Sequence, residues 1–296
     1  MRIALAQIHA TGHPEENLRT ARDYTRRAAE RGARMVVFPE ATSQAFGTGR
    51  LDTHAQDYDG PFATGVCDLA RELGITIVAG MFRPADRTEE GINRVWNTAL
   101  IARGAATAGS PSTGSPGSPG STDNTSSTDA SPGAWAPRGY DKIHTYDAFD
   151  TRESETVRPG TQAVTFEVGD VTVGVATCFD LRFPALFQDL ARAGAQIIVV
   201  PASWADGPGK LHQWRVLTAA RALDTGAFIA ASGMARPGGA ERAGEPSGPT
   251  GIGHSAVLTP LGQRLAEAGY GEELLVADLD LGEVASTRRS LPILGG

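Results

Sequence analysis

Short apolar runs alternate with amphipathic stretches from the first residues of the chain almost to the last, and that alternation leaves few folds open to it. Residues 2–8, 35–38, 75–81, 95–102, 196–201 and 227–232 read as strands, 164–168 and 171–177 as a hairpin turning at Gly169-Asp170, and 252–258 and 274–279 as the closing strands. Between them, residues 16–31 set Leu18, Ala21, Tyr24 and Ala28 near one face of a helix that stops at Gly32. Residues 62–73, 184–193 and 211–224 read as further helices; the first two stop at Gly74 and Gly194, and the last sets Leu211, Trp214, Leu217 and Arg221 near one face. Some strand runs alternate in polarity and others are apolar throughout, which suits two sheets packed face to face with helices outside, a layered α/β arrangement.

The chain has 296 residues, within reach of one large domain, and we expect a single domain over 1–296. From 104 to 134 no Val, Ile, Leu, Met, Phe, Tyr or Trp occurs, so this stretch cannot offset its chain entropy by burial and reads as a disordered, low-complexity insertion. Catalytic candidates lie on both sides of it, so it is not read as a domain boundary. A Gly/Pro-rich loop is expected at 235–250. A formal charge of −7 carries no footprint for nucleic acid or an anionic membrane. No apolar stretch approaches the roughly 20 residues of a membrane span, and the start of the chain has no signal-peptide pattern. With two cysteines far apart in sequence, a cytoplasmic, reducing compartment is expected.

Three short segments carry chemistry. Cys178 ends the apolar run 171–177 and opens Cys-Phe-Asp-Leu-Arg-Phe-Pro, at a strand-to-helix turn where free amides and the helix dipole can receive developing negative charge. Glu40 closes Val-Val-Phe-Pro-Glu, an odd place for a solvated carboxylate. Lys142 stands in Asp-Lys-Ile-His and is one of only two lysines among 27 basic residues; in a chain this biased to arginine, a retained lysine points to a site that needs a compact ammonium. Together they supply a nucleophile, a carboxylate and an ammonium, the minimum for acyl transfer through a thioester.

Val-Val-Phe-Pro-Glu40, Asp-Lys142-Ile-His and Thr-Cys178-Phe-Asp-Leu-Arg-Phe-Pro, in this order and spacing, resemble the signature blocks of the nitrilase superfamily of carbon–nitrogen hydrolases. Trp96-Asn97-Thr98, Arg152-Glu153-Ser154, Pro201-Ala-Ser-Trp204, Gln213-Trp214 and Gly253-His-Ser255 agree, so the resemblance runs over roughly residues 1–280. It implies a four-layer αββα sandwich, a Glu40–Lys142–Cys178 triad and a second functional glutamate at Glu153. It also implies a homodimer and a small-molecule amide substrate, because the chain resembles the small amidases that act on ω-amides and deaminated glutathione. The family's short hairpin before the lysine strand is replaced here by the low-complexity insertion.

The chemistry fits these roles. Cys178 attacks an amide carbonyl, Glu40 takes its proton and passes it to the departing ammonia, and Lys142 with the backbone N–H of Phe179 holds the oxyanion. Glu153 would keep Lys142 charged and oriented. His144, Tyr146, Arg182 and Trp204 are candidates for substrate contact; for Arg182 the alternative is a buried arginine holding Asp180 or the neighbouring loop, for Trp204 core packing, and for His144 support from behind the site. Asn97 is expected to satisfy backbone groups nearby. Six scattered histidines offer no metal spacing and no nucleotide-binding glycine pattern occurs, so neither metal nor cofactor is expected. A carbamoyl-amine or carbamoyl-amino-acid hydrolase and a non-catalytic binding protein on the same fold are the competing readings.

Overall fold

The computed structural model describes residues 1–104, 137–148 and 151–295. The expected insertion at 104–134 falls, except for Gly104, outside the described residues.

In the first half the order is β1 (Arg2–Gln7), α1 (Pro14–Glu30), β2 (Met35–Val37), α2 (Pro61–Leu73), β3 (Thr76–Arg87), β4 (Asn93–Ala102) and β5 (Arg138–Asp141). A small ladder of β6 (Asp147–Ala148) and β7 (Thr151–Arg152) follows. The second half runs β8 (Val164–Val168), β9 (Val171–Val175), α3 (Pro184–Arg192), β10 (Ile197–Ala202), α4 (Lys210–Thr225), β11 (Phe228–Gly233), β12 (Ala256–Leu258) and β13 (Arg264–Glu267). It closes with β14 (Glu273–Asp278) and α5 (Gly282–Ser290).

Two six-stranded sheets result, in the orders β14-β1-β2-β3-β4-β5 and β13-β12-β11-β10-β9-β8. Each has a parallel centre, β1-β2-β3 and β9-β10-β11, with antiparallel strands outside it. Helices cover the outer faces, giving the αββα sandwich. The apolar runs are explained by burial on both faces. On β1, Ile3 and Leu5 join the core shared with the second sheet, while Ala4 and Ala6 face the core under α1 and α2. Fully burying each such Val, Leu or Ile contributes about 1.5–3 kcal/mol. No described helix is long and apolar enough to cross a membrane.

Some expectations need correction. Residues 252–255 do not continue the strand before β12, because Gly251, Gly253 and His254 all take positive φ. β3 extends to Arg87, well past residue 81. The ladder strand β13 and helix α5 were not foreseen: Arg-Leu-Ala-Glu is too short to show a period, and α5 buries only Val284 and Thr287. Cys178 opens a five-residue 3-10 turn, Cys178–Arg182, rather than α3 itself.

Candidate active site

The parallel strands β2, β9 and β10 release the chain at one end of the sandwich, the usual place for a site in a parallel sheet. Glu40 follows β2, Cys178 follows β9, Ser203 and Trp204 follow β10, and Lys142 follows the edge strand β5. The turn carrying Glu40 lies directly on β3. A Cβ at Gly80 would sit 2.5 Å from the backbone nitrogen of Ala41, so only glycine admits this approach, and Gly80 N–H donates to Pro39 O at 3.1 Å. Ala41 (φ 59°) and Cys178 (φ 48°) both occupy the left-handed region. Such strain in non-glycine residues concentrates at functional sites.

The four residues expected to act together do converge. Lys142 Nζ lies 3.0 Å from Glu40 Oε1, and 3.0 and 2.9 Å from Oε1 and Oε2 of Glu153. Glu40 is 1% exposed and Lys142 3%, so this is a buried charge cluster. The Cys178 thiol sits against the Glu40 carboxylate and the backbone N–H of Ser203, and that same N–H donates to Glu40 Oε2 at 3.0 Å. Burial, and next the Glu40 charge, push the thiol well above its ordinary pKa. Burial pulls Lys142 down, but the carboxylates of Glu153 and Glu40 outweigh it and hold the ammonium well above its usual value. With one cation between two carboxylates the cluster already carries excess negative charge. A thiolate would add to it, whereas passing the thiol proton to Glu40 leaves the total unchanged.

These groups open onto a cavity of about 650 Å³. Cys178, Glu40, Lys142 and Glu153 line it, and Phe46, Leu51, Phe179, Trp204 and Pro249 supply apolar wall. A family model described as carbon-nitrogen hydrolase matches residues 2–289. The chain belongs to the carbon-nitrogen hydrolase family. Over 296 aligned residues it is 45% identical to hydrolase Rv0480c of Mycobacterium tuberculosis, covering 99% of this chain and 94% of that one. It is 29% identical to the omega-amidase NIT2 of Danio rerio, covering 99% and 92%. The crystal structure of Nit3 from Saccharomyces cerevisiae, a member of branch 10 of the nitrilase superfamily, superposes with a TM-score of 0.73 at 25% identity over 99% of this chain and 94% of that one. The protein is thus a nitrilase-superfamily hydrolase of carbon–nitrogen bonds other than peptide bonds, on the NIT2-like branch.

In this carbon-nitrogen hydrolase three of the four substrate-contact candidates line the cavity: Tyr146, Arg182 and Trp204. The fourth, His144, does not. Its Nδ1 lies 2.7 Å from Asp180 Oδ1 and its ring stacks on Phe183 at 3.6 Å. Asp180 is the hub there, accepting also from His144 N–H at 3.1 Å, Tyr140 O–H at 2.6 Å and Thr177 N–H at 2.8 Å. His144 therefore braces the cysteine turn from behind. Burial, and then Asp180, raise the Tyr140 phenol well above its ordinary pKa, which keeps it a donor. Arg182 does not hold Asp180, whose oxygens are taken. It donates to Gln213 Oε1 at 2.7 Å, and its guanidinium lies 5.2 Å from the Trp204 ring centre.

Tyr146 also has a backbone role, its N–H donating to Glu153 Oε2 at 2.6 Å. Asn97 binds side chains rather than only backbone: Nδ2 donates to Glu40 Oε1 at 2.8 Å and reaches Glu153 Oε1 at 3.4 Å, while its carbonyl accepts from Lys142 N–H at 2.9 Å. The register of β4 could not be read from sequence, so this bridging position was missed. The contribution of Pro246, Ser247, Gly248 and Pro249 to the cavity wall was missed as well. The only signal was a Gly/Pro-rich composition, which marks a loop without placing it. Among the described residues no group of histidine, cysteine and carboxylate side chains has metal-holding geometry.

Proposed function

We propose that this protein is an amidase that hydrolyses a small linear amide, without a cofactor, through a thioester on Cys178. The observation that carries the reading is the contact of the Cys178 thiol with Glu40 on the lining of the cavity, with Lys142 bridging Glu40 and Glu153. The omega-amidase name of a 29% identical relative supports the bond class.

In this reading Sγ attacks the amide carbon as Glu40 takes its proton. The oxyanion forms beside Lys142 Nζ and the N–H of Phe179. An ammonium has three protons; with one on Glu40 and one shared between the two oxygens of Glu153, a third is left for the oxyanion. Glu40 returns its proton to the nitrogen, the C–N bond breaks and ammonia departs, leaving the thioester. Water, deprotonated by Glu40, then attacks the same carbon and regenerates the thiol and a free carboxylic acid. Glu153 stays with Lys142 and keeps it charged.

Arg182 presents a guanidinium to the cavity with the neutral Gln213 as hydrogen-bond partner, and among the described residues it pairs with no carboxylate. It is therefore assigned to a carboxylate on the far end of the substrate, with Trp204 and Tyr146 flanking the chain between. An ammonia-release screen over short amides, with and without a distal carboxylate, tests both ideas. Activity is expected on ω-amides, and Arg182→Ala should raise KM for the carboxylate-bearing amides by about 10- to 100-fold while sparing uncharged ones. Equal KM changes for both classes would remove Arg182 from recognition, and carbon dioxide appearing with the ammonia would move the protein to the carbamoyl hydrolases.

We place the protein in the cytoplasm as a homodimer. Both cysteines are free thiols, which suits a reducing compartment, and fractionation with secreted markers would overturn that placement. Val216 and Leu223 of α4 and Leu261 and Leu265 beside it are about half exposed, on adjoining elements. Light scattering should return twice the chain mass, and a monomer at micromolar concentration would remove the dimer.

A further inference from the structure

Residues 237–250 leave β11 and return toward β12, bringing Pro246, Ser247, Gly248 and Pro249 to the cavity wall. None of these fourteen positions is buried, and none contributes a side chain to a hydrophobic core cluster. Regular structure is limited to a short 3-10 turn, Gly239–Arg242. Hydrophobic burial therefore does not hold this wall where it is.

A buried ion pair does. Arg236 and Asp206 are each 3% exposed, with Nε 3.0 Å from Asp206 Oδ2. The guanidinium sits inside the loop and donates from Nη2 to the carbonyls of Arg242 (3.3 Å) and Glu245 (3.2 Å). The carboxylate accepts from Gly244 N–H at 2.9 Å and Gly207 N–H at 2.7 Å. Ser247 N–H donates to Asp206 O, and Asp206 N–H to Ser247 Oγ. Three residues before Asp206, Ser203 Oγ donates to Pro249 O at 2.6 Å while its N–H donates to Glu40.

We propose that the Arg236–Asp206 pair is a positioning element that fixes the 237–250 loop as a wall of the substrate cavity and so sets which acyl groups the amidase accepts. This rests on the carbon–nitrogen hydrolase reading of the cavity. A planar fork that serves a carboxylate and two carbonyls at once cannot be reproduced by lysine. A charge left alone after removal of its partner favours loosening of the loop over staying buried.

The test compares the wild type with Asp206→Asn, Arg236→Met and Arg236→Lys in three measurements. Tryptic cleavage after Arg242 should quicken by about tenfold or more in the first two variants, because cleavage follows local opening. For amides with long acyl chains KM should rise about tenfold with kcat within about threefold, while short amides change little, the signature of lost ground-state and transition-state binding alike. Alkylation of Cys178 by iodoacetamide should be unchanged, and Arg236→Lys should fall between wild type and Arg236→Met. Unchanged cleavage and KM in a folded variant would overturn the proposal. So would a fall in kcat and alkylation rate at constant KM, which would make the pair a support for Glu40 instead. Should these variants fail to fold, Ser247→Ala, in the exposed loop, is expected to give the same pattern at smaller amplitude, and no change would overturn the proposal. A wild type that releases no ammonia from any amide would defeat the amidase reading, while the cleavage measurement would still decide what holds the loop.

Discussion

Ammonia release is expected to fall by about 10⁴-fold or more when Cys178 is replaced by alanine, the scale on which removal of an attacking group stops covalent catalysis. The backbone should tolerate the change, since alanine meets the same left-handed φ of 48° that cysteine already bears. The stability change should stay near about 1 kcal/mol. Cys178→Ser should be nearly as inactive. A serine hydroxyl is a far weaker acid than a thiol, and one carboxylate is a poor base for it. Cys67, half-buried beside the core under α1 and α2, is the control: Cys67→Ala should keep full activity. Steady-state ammonia assays on the four proteins decide the matter, and a Cys178→Ala enzyme that retained a tenth of the activity would rule out the thioester route.

Lys142→Met should produce two separable losses. The first is catalytic: without the ammonium the oxyanion loses one donor, and turnover should drop about 10²- to 10³-fold. The second is structural. Lys142 is the only cation that the described ion pairs place between Glu40 and Glu153, so its removal leaves two buried carboxylates sharing Asn97. Removing one partner of a buried pair costs about 3–5 kcal/mol, which should lower Tm by roughly 5–15 °C in a chain of this size. The double variant Lys142→Met/Glu153→Gln removes one of the stranded charges. It should recover part of the stability and none of the activity. Calorimetry and ammonia release on the single and double variants test this. A single variant with unchanged Tm would mean that the cluster is not held by charge compensation.

What could be read from the chain was what local chemistry imposes. The strand runs were legible because sheets covered on both faces demand apolar residues at every position, and β1, β2, β10 and β11 supply them. Glu40 and Cys178 were legible because each interrupts such a run at a turn, and Lys142 because it is one of only two lysines among the 27 basic residues. Asp180 and Asn97 were harder. Their partners lie 36, 40 and 57 positions away, and only the register of β4 and the 3-10 turn at Cys178 brings them together. For His144 two places were open, substrate contact or support from behind; two residues past Lys142, its side chain lies against Asp180 and not on the cavity, a choice that only the fold makes. The 237–250 wall carries no periodicity at all, so nothing local announced its place.

Glu40 hangs from one sheet and Cys178 from the other, with Val37 and Val175 of the shared core a few residues behind them. The span between sulfur and carboxylate is therefore a gauge of how far apart the two leaves of the sandwich stand. Bulk added or removed deep in the filling between them, far from any ligand, would reset that gauge and retune the enzyme without touching a single group that meets the amide.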